Sequence, residues 1–388
     1  MKKFILKIAK ANLFVLIIVL FSSCTTSSIF TSIGDNISAP NGMAVDSDNN
    51  RLYLINSNST VLYKWDEGSI QVLDITNPAA PSLLNTAQTI SFGGQVILDS
   101  TTKLLYTTSR YSTDSADNED QMLRMNYDEG STEYLNVAPA ATRKNPYGIA
   151  CCYPDDRMWI ATEDNALQYI DKTSMSGGTI NLKQPLSTGS LQNHAEVSYI
   201  VLNDTLAYVP RIKNGLLIVN LDEADDASKN AVDYFISDIT TPEGIAFDGT
   251  YTYVIGYEEI DSKWKSMLFI LDLSTLVPVF DNETTQVLDK NDSSILVAQI
   301  EVGATPQNVL IDNNYAFVTC SRDDRVDVID IAARTVIANI TVQDEPFGMA
   351  MRYDAGGTAT HLYVGNVSSN TISIIDIPGF TVVGTYPQ

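Results

Sequence analysis

The chain has 388 residues, 44% of them hydrophobic and 18% charged. Its 21 Gly and 14 Pro are too few for a collagen-like or low-complexity chain. Its 24 bases against 47 acids leave a net charge of −23, which offers no basic footprint for a nucleic acid. The length suits two or three ordinary domains or one large repeat fold.

The N-terminus reads as an export signal. Lys2, Lys3, Lys7 and Lys10 precede nine apolar residues, 13–21, LFVLIIVLF. A membrane-spanning helix needs about twenty, so this is the short apolar stretch of a secretory signal peptide. Ser22 and Ser23 then lead into Cys24. Small residues just before a Cys resemble a bacterial lipoprotein signal, which implies cleavage after residue 23 and acylation of Cys24. Removing residues 1–23 takes away four lysines and no acid, so the net charge becomes −27. Acyl chains, at about 0.8 kcal/mol per buried CH₂, would hold the protein on a membrane. Residues 24–39 form the lipidated Cys and its tether, and Thr25 in place of an Asp points to the outer membrane, on its periplasmic or its surface face.

From residue 40 the chain repeats itself. Pro-x-Gly-(Met/Ile)-Ala occurs at 40–44, 146–150, 242–246 and 346–350, with weaker copies at 92–96, 194–198 and 305–309. A short β-rich run follows each of these seven anchors (RLYLI, KLLYTT, RMWIAT, LAYVP, YTYVIG, YAFVT, HLYVG). A second run comes next and often closes on an acid or amide: Asp74, Asp171, Asn220, Asp272, Asp330, Asp376. A third run, such as TVIANITV at 335–342, completes most units. No helical stretch is expected after residue 24. Four short strands per unit at this period predict an all-β chain, a seven-bladed β-propeller of four-stranded antiparallel blades over residues 40–388. Residues 29–39 are left over, to pass along the ring or to add a strand.

The last two units, 315–351 and 361–387, resemble the YVTN-type propeller repeat, and GSIQVLDITNPAAPSLLN at 68–85 is similar to the LVIVD-type repeat. This implies the propeller fold and no particular activity, since the fold hosts binders, scaffolds and lactone hydrolases.

In such a ring the loops that open each first strand and close each second strand share one face, the default ligand site. The anchors present Asn41, Tyr147, Glu243, Gln307 and Phe347 there. The second-strand loops present Asn56 and Asn58, Arg110 and Tyr111, Glu163 and Asp164, Arg211 and Lys213, Tyr257 and Glu258, Arg322 and Asp323, and Asn366. Arg110, Arg211 and Arg322 come from alternate units, and their forked donors suit a carboxylate or phosphate. They could instead pair with neighbouring acids. Tyr147 and Gln307 complete the expected ligand site.

Glu243 in PEGIAFD is similar to the metal-binding Glu of gluconolactonase-type propellers. That resemblance implies a divalent ion as the alternative, with Asn366 a second ligand; otherwise no cofactor is expected. The acidic segments 112–121 and 281–294 read as solvated loops that lack calcium-loop spacing. Catalytic motifs are missing, and His194 and His361 have no partner nucleophile. Cys151, Cys152 and Cys320 read as three buried thiols, because neighbours in a strand point to opposite faces. The expected function is a cell-envelope lipoprotein that binds a protein or a small anionic ligand without catalysis. The alternative is a metal-dependent, lactonase-like hydrolase.

Overall fold

The computed structural model describes residues 35–387, apart from 58–67, 90–92, 111–119, 153–155, 163–165, 183–198, 212–213, 225–230 and 281–283. The signal peptide, Cys24, Asn58, Tyr111, Glu163, Asp164, His194 and Lys213 therefore lie outside the described residues, as does most of segment 112–121. No α-helix occurs among those described, and none is long and apolar enough to cross a membrane.

The strands come in groups of four. The first sheet holds β1 (Pro40–Asp46), β2 (Arg51–Asn56), β3 (Gly68–Asp74) and β4 (Ser82–Thr89). The second holds β5 (Gly93–Asp99), β6 (Leu104–Ser109), β7 (Gln121–Asn126) and β8 (Val137–Ala141). The third holds β9 (Pro146–Cys151), β10 (Arg157–Thr162), β11 (Ala166–Asp171) and β12 (Gly177–Asn181). Next come β13 (Val201–Asn203), β14 (Leu206–Pro210), β15 (Asn214–Asn220) and β16 (Val232–Thr240). They are followed by β17 (Ile245–Phe247), β18 (Thr252–Ile260), β19 (Lys263–Leu271), β20 (Gln286–Asp289) and β21 (Leu296–Glu301). These two groups join as one nine-stranded sheet through the pair Thr240–Tyr257 of β16 and β18 and through the pairing of β20 with β16. We call β13–β16 its fourth-unit half and β17, β18, β19 and β21 its fifth-unit half. The sixth unit holds β22 (Pro306–Asp312), β23 (Tyr315–Cys320), β24 (Arg325–Asp330) and β25 (Thr335–Thr341). The seventh holds β26 (Pro346–Tyr353), β27 (Ala359–Asn366), β28 (Thr371–Asp376) and β29 (Thr381–Tyr386). Within every unit the pairing is an antiparallel meander; β20, running parallel to β16, is the exception.

Strands whose two faces both carry Leu, Ile, Val or aromatic residues must be covered on both sides. The core meets that demand by lying between consecutive units. Tyr53, Ile55, Ile70 and Val72 of the first sheet pack with Leu105, Met125 and Tyr127 of the second unit. Trp159 and Leu167 of the third pack with Val209, Leu217 and Val219 of the fourth. Similar clusters join the second to the third, the fourth to the fifth, the fifth to the sixth and the sixth to the seventh. The last joins the seventh unit, through Tyr363, Ile372 and Ile374, back to Leu52, Leu54 and Leu73 of the first. The first strands likewise touch in order: β1 with β5, β5 with β9, β9 with β13, β13 with β17, β17 with β22, β22 with β26, and β26 with β1.

The anchor glycines permit this approach. They do not serve a left-handed turn, since no positive φ is involved at Gly42, Gly94 or Gly348. Instead the next strand's backbone occupies the space of a side chain. A Cβ on Gly42 would lie 2.2 Å from the Gly94 carbonyl oxygen, one on Gly94 2.2 Å from that of Tyr147, and one on Gly348 2.1 Å from that of Asn41. Hydroxyls add ties between units: Thr108 donates to the Tyr147 carbonyl at 2.7 Å and Thr319 to the Phe347 carbonyl at 2.9 Å.

Residues 35–39 add no strand. They run in the seam between the first and seventh units, where Ile37 joins the cluster of Leu52, Leu73, Tyr363 and Ile372. The Ser38 amide donates to Asn56 Oδ1 at 3.1 Å and the Ala39 amide to Asn370 Oδ1 at 2.8 Å, so the segment bonds to both units.

The repeated acids and amides are local turn caps. Asp74 accepts from the Thr76 amide, Asp171 from Thr173 and Ser174, Asn220 from Asp222, Asp272 from Ser274, Asp330 from Ala333 and Asp376 from Gly379. Asn126, unnoticed in the repeat, does the same for the Asp128 amide at 2.8 Å in the second unit.

Two expectations are corrected. Cys320 is a buried free thiol, but Cys151 and Cys152 are joined as a disulfide. The alternation argument fails there because β9 ends at Cys151, so Cys152 is no longer a strand neighbour. Segment 281–294 is more than a solvated loop. Gln286–Asp289 forms β20 beside β16, and Lys290, 1% exposed, donates to Glu258 at 2.9 Å and to Asn291 at 2.8 Å.

Candidate functional site

All first strands begin, and all second strands end, at one end of the sheets, here called the upper end. Antiparallel pairing dictates this, as in Pro40 opposite Asn56, Pro306 opposite Cys320 and Pro346 opposite Asn366. Pro-x-Gly residues and the residues after each second strand therefore share an end of the molecule.

Along the first strands lies a cavity of about 190 Å³ lined by Asn41, Gln95, Tyr147, Asn308, Gly348 and Met349, with their neighbours. The lining comes from the first strands of five different units, which only the cyclic contact of first strands brings together. At about 30 Å³ per water, the space holds roughly six waters or one small molecule.

Tyr147 is the centre of the polar cluster. Its hydroxyl shares a 3.2 Å hydrogen bond with that of Tyr199, which donates to the Gln307 carbonyl at 3.3 Å. The Tyr147 ring meets that of Tyr199 edge-on at 5.0 Å and that of Phe347 at 6.3 Å. The Arg110 guanidinium stands 5.8 Å from the Tyr147 ring centroid. Burial pushes the Tyr147 phenol up to about 12, against the opposing pull of the Tyr199 hydrogen bond and Arg110. Burial likewise pushes the Glu243 carboxyl up to about 7. The Glu243 charge also raises Tyr147, Tyr199 and Tyr257, after burial, which places it among three phenols. A carboxyl so poised is half-protonated near neutrality and can donate or accept a hydrogen bond.

The structure thus brings Tyr147, Gln307, Arg110 and Glu243 into one neighbourhood at the upper end. Gln307 contributes its backbone carbonyl, while its side-chain amide donates to Ser321 Oγ at 3.4 Å. Tyr199 is the member that sequence reasoning missed. It sits one residue past the weak anchor 194–198, whose Gly-less pattern gave no reason to read onward.

The other nominated residues stand apart. Arg211 follows β14 and is 4% exposed. Arg322, just past β23, is exposed, and its backbone amide donates to the Ala304 carbonyl at 3.3 Å. Asn366 is held inside its own sheet, its amide nitrogen donating to Thr371 Oγ1 at 3.1 Å and Ser373 Oγ at 3.0 Å. Nothing in those bonds links Asn366 to Glu243, and no group of three metal-type side chains occurs among the described residues. His361 lies in β27, with burial pulling its imidazole below the ordinary value and Arg352 adding to that.

No family model matches the chain, and no curated protein matches it. Solved structures do. A chain titled Kuenenia stuttgartiensis hydrazine synthase superposes with a TM-score of 0.65 at 11% identity, over 90% of this chain and 99% of that one. The computationally designed Ika8 protein superposes with a TM-score of 0.54 at 11% identity, over 91% of this chain and 88% of its own. At such identity the likeness is one of fold, with propeller-like folds among the neighbours. In all, 1239 solved chains match, so the architecture by itself selects no activity. The chain is an all-β protein of antiparallel four-stranded sheets, similar in fold to those structures.

Proposed function

We propose that this chain is a seven-bladed β-propeller, exported and held by a lipidated Cys24 at the bacterial outer membrane, that works as a non-catalytic binding or scaffold module. Its ligand is an envelope or extracellular protein or a small anion, received at the upper end of the axis. Support for the ring comes from the cyclic order of the core clusters and of the first-strand contacts. The binding role is carried by one observation: Tyr147, Tyr199, Gln307, Arg110 and Glu243, from separate stretches of the chain, meet beside a 190 Å³ axial cavity. Aromatic faces with a few convergent polar groups are the usual make-up of a recognition site.

The second reading, a metal-dependent lactonase-like hydrolase, draws on Glu243 and its raised pKa. A divalent ion there would need further oxygen ligands; Asn366 Oδ1 is buried without a hydrogen-bond partner, while its amide nitrogen is held by Thr371 and Ser373.

One preparation separates the two. The full chain is purified in detergent micelles, dialysed, and assayed for bound metal by elemental mass spectrometry and for heats of binding with acetate and inorganic phosphate. A metal-free protein that binds a probe, at least tenfold more weakly after Tyr147→Ala, supports the binding module. One equivalent of calcium, zinc or manganese, lost in Glu243→Gln, overturns it in favour of the hydrolase. In cells, Cys24→Ser is expected to shift the protein from the membrane to the soluble fraction; retention at the membrane would refute the anchor.

A further inference from the structure

Arg211 departs from the way this protein treats its other buried cation. Lys290, 1% exposed, is matched by Glu258 at 2.9 Å and by Asn291 at 2.8 Å. Arg211, 4% exposed, has no ion pair with a carboxylate among the described residues, and its Nε is buried without a hydrogen-bond partner. Burial alone acts on the guanidinium, lowering its pKa, and no acid offsets it. The chain carries 47 acids against 24 bases, yet none of the described acids pairs with it. A guanidinium stays charged at any physiological pH, and a buried charge without a counter-charge is strongly disfavoured.

Its location is well defined. Leu206 and Tyr208 of β14 belong to the cluster shared with the fifth unit, whereas Ala207 and Val209 belong to the cluster shared with the third. Strand alternation puts residue 211 in the row of Ala207 and Val209, at the upper end of the seam between the third and fourth units. Its backbone is pinned there: the Arg211 amide donates to the Gly215 carbonyl at 3.0 Å, and the Asn214 amide donates to the Arg211 carbonyl at 2.9 Å. Gly215, with φ +77°, makes that return possible. The guanidinium thus projects from a fixed backbone rather than a loose loop.

We infer that Arg211 anchors an oxyanion site at the upper end of the third–fourth seam, and that its missing counter-charge is a single carboxylate or phosphate group of a small ligand. Paired oxygens match the forked donors of a guanidinium. The chain's net charge of −23 disfavours a polyanion. This goes beyond the axial reading above, and the site stands whether or not Tyr147 binds anything.

The test is thermal unfolding of the full chain in detergent micelles, with acetate or inorganic phosphate titrated at constant ionic strength against chloride. Acetate or phosphate is expected to raise the midpoint in the parent protein, in Arg322→Gln and in Tyr147→Ala. In the Tyr147→Ala background, where the axial site no longer contributes, the rise should vanish on adding Arg211→Gln, and Arg211→Lys should need at least tenfold more anion. A response to acetate alone assigns a carboxylate ligand, and a response to phosphate alone a phosphoryl group. No rise in the parent beyond chloride, or a full rise in the Tyr147→Ala, Arg211→Gln double variant, overturns the inference. Loss of the effect in Tyr147→Ala but not in Arg211→Gln would overturn it while leaving the axial site intact. Should Arg211→Gln fail to fold, the arginine Nε–H resonance that disappears in Arg211→Lys reports instead. A shift of that signal on adding either anion supports the site, and an unmoved signal overturns it.

Discussion

Replacing Gly348 by alanine tests the closure of the molecule on itself. Gly348 lies in the first strand of the last unit, and a Cβ there would stand 2.1 Å from the Asn41 carbonyl oxygen and 2.9 Å from its carbon. Both atoms are backbone of the first unit, so neither can swing aside as a side chain tip would. Relief requires the strands to move apart, opening the seam that Ile37, Leu52, Tyr363 and Ile372 fill. Overpacking of that kind costs about 1–3 kcal/mol. With an unfolding entropy of ~2.1 cal/mol/K per residue, a domain of this size loses roughly 1.3 °C per kcal/mol, so Gly348→Ala should melt about 1–4 °C lower. Gly130→Ala is the control, because the nearest atom to its Cβ is a side-chain oxygen of Asp128 at 3.5 Å and its φ is not positive. It should melt within about half a degree of the parent in scanning calorimetry. Equal midpoints for the two variants would show that the first and last units do not approach as described, and the cyclic arrangement would fail with them.

Glu243 makes stability depend on pH. Burial raises its folded pKa from 4.5 to about 7, so the folded state holds the proton more tightly than the unfolded chain. Stability attributable to this group is therefore greatest below pH 4.5, falls as pH rises from 4.5 to 7, and is lowest above 7. The interval corresponds to ~3 kcal/mol at most. Glu243→Gln should flatten that slope and melt higher than the parent at pH 8; an unchanged slope in urea titrations would refute the burial argument. Thr319→Val removes the hydroxyl that donates to the Phe347 carbonyl at 2.9 Å, and Thr108→Val the one that donates to the Tyr147 carbonyl at 2.7 Å. Each should cost about 1 kcal/mol in chemical denaturation, and the double variant the sum, since they tie different seams. A double variant as stable as either single would show that these ties are not independent.

The strand pattern was legible because each strand satisfies local rules. Alternating apolar residues, turn-forming acids and anchor glycines recur at a spacing that admits four strands per unit. The caps at Asp74, Asp171 and Asp330 act within two or three residues of themselves, so their role could be read from the chain alone. The upper end was legible too, since antiparallel pairing forces first-strand starts and second-strand ends together. What the anchor glycine does was not legible. The carbonyl that crowds Gly348 belongs to residue 41, and no local pattern reveals a neighbour more than three hundred positions away.

The same division runs through the site. Sequence alone nominated Arg110, Tyr147, Arg211, Glu243, Gln307, Arg322 and Asn366 by their place in the repeat. Tertiary structure sorted them. Arg110 rests against Tyr147, the Asn366 amide nitrogen is held by its own sheet, Arg322 is exposed, and Arg211 is buried without a counter-charge among the described residues. Tyr199 entered only through its contacts. Composition, periodicity and pairing rules determined that this chain forms four-stranded antiparallel units whose variable residues gather at one end. Which of those residues touch, and which charge is left uncompensated, was decided by side chains meeting across sheets, because burial and electrostatics depend on distance in space rather than along the chain.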